Sequence, residues 1–327
     1  MVRFNIEFII DKDVCFTYWL QAIFKWSWFF GEKKAKHYRR FIKKNKLSEK
    51  IALFVFKKIL QRRNNKYFWL WDRYSNKKIS NIFENLLWNL IKKVFKYNFD
   101  VIWKNEEESL KKWQIQLLEY DFSLFNDALE RVANFLLVKD FNGFDLKIKL
   151  LFGSEIGVSA HVKKEFPNLI ILSVPSFNRE NLNSVIGTII HELIHKFEYE
   201  SAITDSLFKK SYKNIIEPNN INAPSDYKWK YLLKESMLRA ISSSRMNTYI
   251  GRLLTNDNEI IQKDVVKFIF TKKESINPEF LIRVVAQKIE QLTTEYLNKN
   301  MVIDEKYCDF ISQVWVDLFS GEGRALG

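Results

Sequence analysis

The chain has 327 residues, 47% of them hydrophobic and 16% aromatic, enough apolar side chain to bury one large core or two modest ones. Its 2 cysteines, Cys15 and Cys308, lie far apart and fit no paired motif, so a disulfide-stabilised secreted scaffold has no support. The net charge of +13 is uneven: residues 1–100 hold 23 Lys and Arg against 8 Asp and Glu, and the rest hold 29 against 31. Eight of the 10 tryptophans also fall early, between Trp19 and Trp113. This asymmetry divides the chain into a helical, basic, aromatic-rich N-terminal region, 1–105, and a second region, 106–327.

The opening Met1-Val2-Arg3-Phe4-Asn5-Ile6-Glu7 has alternating polar residues and lacks the charged start and long apolar core of a secretory signal. The cytoplasm of a prokaryote is the default expectation, with peripheral membrane attachment as its variant. Val14 to Phe30 is mostly apolar but broken by Gln21 and Lys25, and a span needs about 20 apolar residues. It reads as a buried helix before a membrane segment. Lys33, Lys34, Lys36, Arg39, Arg40, Lys43, Lys44 and Lys46 follow, offering a face to an anionic membrane surface or a nucleic acid. A plain solvated face in a lysine-rich chain accounts for them equally, and no helix-turn-helix, zinc-finger or RNA-binding motif is present. Ser48 is placed to cap a helix over 49–63, and Ser80 another through Lys96, with Ile82, Phe83, Leu86, Leu87, Leu90, Ile91 and Val94 at helical spacing.

In the second region, Glu106 to Tyr120 predicts a helix. Ser123 to Lys139 predicts the next, with Leu124, Phe125, Leu129, Val132, Phe135 and Leu136 as its buried side. Phe144 to Phe152 and Val158 to Val162 read as strands, with His161 exposed on the latter. Leu169 to Val174, ending at Pro175, reads as a strand whose free edge would align an extended substrate backbone. Asn178 then caps a helix over 179–199, in which Leu182, Val185, Ile186, Ile189, Ile190, Leu193, Ile194 and Phe197 form an apolar stripe.

Beside that stripe stands His191-Glu192-Leu193-Ile194-His195, which holds half of the 4 histidines of the chain. Two imidazoles four residues apart occupy one helix face, one turn above the other, close enough to grip one zinc ion. Glu192 can then serve as the general base on a bound water. A catalytic site needs a third protein ligand. Glu198 lies on the same helix, where three ligands would make a poor tetrahedron, and reads as a solvated or supporting residue. Glu235 sits on a separate helix, capped by Asp226 and with Leu232, Leu238 and Ile241 as its core side. Glu200, Glu217 and Asp226 are the alternatives.

In element order, a long helix, strands, the His-Glu-x-x-His helix and the glutamate helix, residues 120–250 resemble the gluzincin metallopeptidases. The resemblance implies an α+β, mostly helical, zincin-like catalytic region with a small sheet. It also implies Zn2+ on His191, His195 and Glu235, with Glu192 as base. Many gluzincins place an aspartate four residues after the third ligand to orient a histidine, whereas this chain has Arg239. They also use a downstream tyrosine or histidine on the oxyanion, for which Tyr231 and Tyr249 stand nearest, with Arg245 as a cationic alternative. The metzincin extension is excluded by Glu198 and Ser201, and no aminopeptidase signature precedes the helix.

The segment 200–225 looks irregular and lid-like, and three helices are expected near 257–272, 278–298 and 305–319. The expected function is a zinc metalloendopeptidase acting on a peptide or protein substrate. The competing expectation is a membrane- or nucleic-acid-associated binding protein with a vestigial or structural zinc site. A structural site would want a fourth protein ligand, and no cysteine lies near the motif.

Overall fold

A computed structural model describes residues 3–23, 82–139, 141, 143–153, 158–163, 166–201, 203–224, 228–242, 248–254 and 278–320. The basic runs at 33–46 and the helices predicted over 49–63 and 257–272 lie outside them. The fold is α+β and mostly helical, with a four-stranded open sheet, as expected. Contacts divide it into two compact units: Ile6–Tyr120 with Leu146–Leu182, and Met1–Asn5 with Asp121–Asp145 and Asn183–Gly327.

The first unit carries most of the sheet. Its strands are β1 (Arg3–Ile10), β2 (Gly143–Phe152), β3 (Ser159–Lys163) and β4 (Phe166–Val174), in the spatial order β1-β2-β4-β3. β4 runs parallel to β2, with Leu172 opposite Leu150, and antiparallel to β3, with Leu172 opposite Ala160. β4 therefore lies inside the sheet, paired on both sides. That corrects the expectation of a free edge over 169–174 for a substrate backbone. The unbroken burial from Ile170 to Val174 is the mark of an interior strand covered on both faces. His161, on β3 opposite Ile171, is half-buried and not exposed as expected. The strand at β1 was not foreseen, although its alternation of polar and apolar residues is the period of a half-buried strand.

Among the described residues, two helices join the sheet in this unit: α1 (Lys12–Ile23) and α2 (Ile82–Leu118). α2 merges the two helices predicted up to Lys96 and from Glu106. Its 37 residues contain neither glycine nor proline, so nothing stops the helix. Pairs one turn apart line its surface, Lys96–Asp100 at 2.5 Å and Glu108–Lys112 at 2.7 Å. It runs through residue 105, where composition changes. An aromatic cluster binds α1, α2 and β2: Phe16 meets Phe99 edge-on at 5.1 Å, Trp19 lies 5.5 Å from Phe99, and Trp103 meets Phe152 at 6.3 Å. Trp113 is buried as well, and its Nε1 donates to the Pro175 carbonyl at 2.9 Å. Part of the early tryptophan excess is thus core. The apolar run from Val14 enters this core as far as Leu20, and no helix among the described residues is long and apolar enough to cross a membrane.

The second unit is helical: α3 (Asn126–Phe135), α4 (Leu182–Glu200), α5 (Thr204–Ser211), α6 (Trp229–Ser242), α7 (Pro278–Asn298) and α8 (Glu305–Ser320). α7 and α8 fall where predicted. α3 is shorter than expected, because a 3₁₀ turn over Phe122–Phe125 capped by Asp121 precedes it and leaves Leu124 exposed, not buried. Leu137, at φ 54°, then turns the chain out of the helix. The segment 200–225 is also corrected. Over 204–219 it is not irregular but forms α5, a π-helical turn over Tyr212–Ile216 and a 3₁₀ turn over Glu217–Asn219, and 220–224 lies outside helix. Buried Leu207 and Phe208 anchor it, the Ser211 and Ser312 hydroxyls bond at 2.6 Å, and Lys210 reaches Glu305. α6 packs against α5, α7 and α8.

Candidate metal centre

α4 starts as its sequence demands. The Asn178 side chain accepts from the Glu180 amide at 3.1 Å, opening a 3₁₀ turn from which α4 continues at Leu182. Val185, Ile186, Ile189, Ile190, Leu193, Ile194 and Phe197 are all buried, each side chain contributing about 1.5–3 kcal/mol by leaving water. That burial fixes the rotation of the helix. His191 and His195 stand at the margin of the stripe, half-buried, as expected. On α6, burial of Leu232, Leu233, Met237 and Leu238 fixes the opposite wall and brings Glu235 inward, where only 4% of its side chain is exposed.

The three side chains meet. His191 Nε2 lies 3.5 Å from Glu235 Oε1 and His195 Nε2 lies 3.3 Å from Oε2, with the imidazoles nearly perpendicular and 4.9 Å apart. One ligand atom from each residue lies within 4.8 Å of the others. His191, His195 and Glu235 form a group able to hold a metal ion. Zinc bonds of about 2.0–2.2 Å in a tetrahedron separate the donor atoms by roughly 3.3–3.5 Å, which the two distances from histidine to carboxylate already match.

No known protein family, curated protein or solved structure matches the chain. The functional argument therefore rests on the chemistry of these residues.

Arg239 takes part in the site. Its Nε donates to Glu235 Oε1 at 2.7 Å and its Nη2 to Glu279 Oε2 at 2.7 Å. Where gluzincins place an aspartate near a histidine, this chain places a guanidinium on the carboxylate. The fork holds Glu235 by one oxygen and leaves Oε2 turned to His195. Glu198 is buried and ion-paired with Lys234, which also reaches Asp205, so it is not solvated.

These charges set the protonation of the site. Burial opposes the ionised Glu235, but the charges and hydrogen bonds of His191 and His195 outweigh it and hold its pKa well below the ordinary carboxylate range. Burial likewise pulls His195 down. The hydrogen bond and charge of Glu235, then the charges of Glu192 and Glu198, overcome that pull and raise it to about 9. Near neutral pH the metal-free site therefore keeps a proton that an incoming ion must displace. Metal affinity should keep rising with pH beyond 6.5 and level off only near 9, a trend measurable by chelator competition between pH 6 and 10. A plateau already reached at pH 7 would contradict this protonation.

Glu192 is buried beside the first histidine, and its charge acts on His195. The two tyrosines stand differently. Tyr231 is 41% exposed one turn before Glu235, and the Tyr249 phenol lies in the field of Arg131 and Asp127. Neither belongs to the ligand group. Glu217 and Glu200 are exposed, the latter facing Lys196 at 3.8 Å, and neither joins the histidines. Asp226 and Arg245 lie outside the described residues. Sequence reasoning missed the link from Arg239 to Glu279 and a hydroxyl, Ser242, 2.9 Å from His191 Nδ1. Their spacing from Glu235, one and two helical turns, was the available signal.

Proposed function

We propose that the chain is a zinc-dependent metallopeptidase of gluzincin type, hydrolysing peptide bonds with Glu192 as general base. The observation that carries this is the convergence of His191 Nε2, His195 Nε2 and the buried Glu235 carboxylate, with a second acid next to the first histidine. Two imidazoles and one carboxylate are the donor set of catalytic zinc, which keeps a fourth position open, whereas structural zinc takes four protein ligands. The described residues supply three. Cys15 and Cys308 are both buried outside the group, and burial raises both thiols, the opposite of what a thiolate ligand requires.

When bound, zinc would polarise the scissile carbonyl and lower the pKa of its water to about 7. The protein does the rest. His191 and His195 bind as neutral imidazoles. Glu235 contributes one negative charge while Arg239 occupies its other oxygen. Glu192 accepts the proton of the attacking water and passes it to the leaving amine. The protein purified without chelators should hold about one zinc per chain by elemental analysis, and His195→Ala should hold none. A wild-type protein that takes up no zinc would overturn the proposal.

A further inference from the structure

His191 is engaged at both ring nitrogens by one helix. Its Nε2 faces Glu235, and its Nδ1 lies 2.9 Å from the Ser242 hydroxyl, two turns further along α6. Ser242 is buried and its Oγ also lies 2.8 Å from the Leu238 carbonyl. A carbonyl can only accept, so the single hydroxyl proton of Ser242 goes to Leu238. Toward His191 the same oxygen can then act only as an acceptor. With Ser242 accepting there, the neutral ring that suits a metal carries its proton on Nδ1 and keeps the Nε2 lone pair for the ion. His195 differs, for its buried Nδ1 has no hydrogen-bond partner among the described residues.

We infer that Ser242 is the positioning residue of the site: it fixes the Nδ1–H tautomer and the ring angle of His191, presenting Nε2 as a ligand before the metal arrives. It does for His191 what a carboxylate does elsewhere, and it does so from the helix that bears Glu235. A hydroxyl whose own proton is committed to Leu238 is a neutral acceptor, so the site gains orientation without a further negative charge. Two of the three ligands are thereby held in register by one rigid element, since any rotation of α6 would move Glu235 and Ser242 together. This inference rests on the metal-site reading above.

The test joins two measurements on the full chain. Long-range proton–nitrogen NMR of the metal-free protein, with His191 assigned by a His191→Gln variant, reports which ring nitrogen carries the proton. Competition with a chromophoric chelator gives zinc affinity for the wild type, Ser242→Ala and Ser242→Thr. Neutral His191 should be protonated on Nδ1. Ser242→Ala should bind zinc about 10- to 100-fold more weakly, and Ser242→Thr, which keeps the hydroxyl and its bond to the carbonyl one turn back, should restore most of that loss. A proton on Nε2 in the wild type would overturn the inference. So would equal affinity of the wild type and Ser242→Ala, with the metal-site reading then still standing. A wild type that binds no zinc would remove both, and that outcome is recognised by the absence of any wild-type signal in the competition.

Discussion

Glu192→Gln should keep its zinc and lose about 10²–10⁴-fold in peptidase turnover, the range that a positioned general base contributes. The substitution keeps size and shape at a buried position and removes only the ability to take a proton. Glu192 is no part of the ligand group, so metal content should match the wild type. Because its charge is among those that raise His195, the variant should also bind zinc slightly better near neutral pH, where less proton competition remains. That second effect separates the two roles. A general metal-site defect would lower both metal content and turnover, whereas loss of the base lowers turnover alone. Cleavage of a casein-type substrate at the wild-type rate would remove Glu192 from the mechanism.

The two histidines were legible because their geometry is local. A spacing of four on a helix decides by itself that both rings share a face, and the apolar stripe of α4 decides which face is buried. Glu235 was a different matter. Nothing in the spacing from His195 to Glu235 places the two together: the carboxylate was chosen because it stands on a separate downstream helix, and a family resemblance then supported it. The structure brings it to the histidines because Leu232 and Leu238, three residues to either side, bury the face of α6 that carries it. Ser242 and the chain from Arg239 to Glu279 escaped notice for the same reason. Such contacts belong to packing between helices, which a single sequence does not print.

The fold failed at comparable points. The acidic start at Glu106 looks like a helix N-terminus, yet residues 97–105 offer no glycine or proline to end the preceding helix, and α2 runs on. The free edge assigned to 169–174 was an inference about neighbours from one strand. The unbroken apolar run Leu169-Ile170-Ile171-Leu172 in fact signals a strand with sheet on both sides. In 200–225, scattered Ser, Asn and Pro obscured the spacing of Thr204, Leu207, Phe208 and Ser211, all of which are buried.

Glu235→Gln should damage the site severely, and its effect should depend on pH in a defined direction. The amide keeps an oxygen for Arg239 but loses the charge that faces both histidines, so zinc affinity should fall by more than the roughly 100-fold upper limit expected for loss of an orienting hydrogen bond. In the metal-free protein, His195 owes its rise to about 9 chiefly to the hydrogen bond and charge of Glu235, working against burial. Without them burial prevails over the remaining charges of Glu192 and Glu198, and the titration of His195 followed by NMR should drop back toward or below the ordinary 6.5. Stability follows from the same shifts. A histidine raised in the folded state stabilises fully below its unfolded value of about 6.5 and loses that contribution as pH rises toward 9. A carboxylate depressed in the folded state stabilises above its unfolded value of about 4.5 and loses that contribution as pH falls. The pair is therefore fully effective between about pH 4.5 and 6.5. There the metal-free wild type should exceed the variant by about 3–5 kcal/mol in urea unfolding, the usual cost of leaving one member of a buried ion pair alone. The gap should narrow as pH climbs through 9, where His195 becomes neutral and the bond from Arg239 to Glu235 is what remains. An equal gap at pH 6 and pH 10 would mean that Glu235 acts on the fold through Arg239 alone, and the histidine–carboxylate pairing would have to be withdrawn.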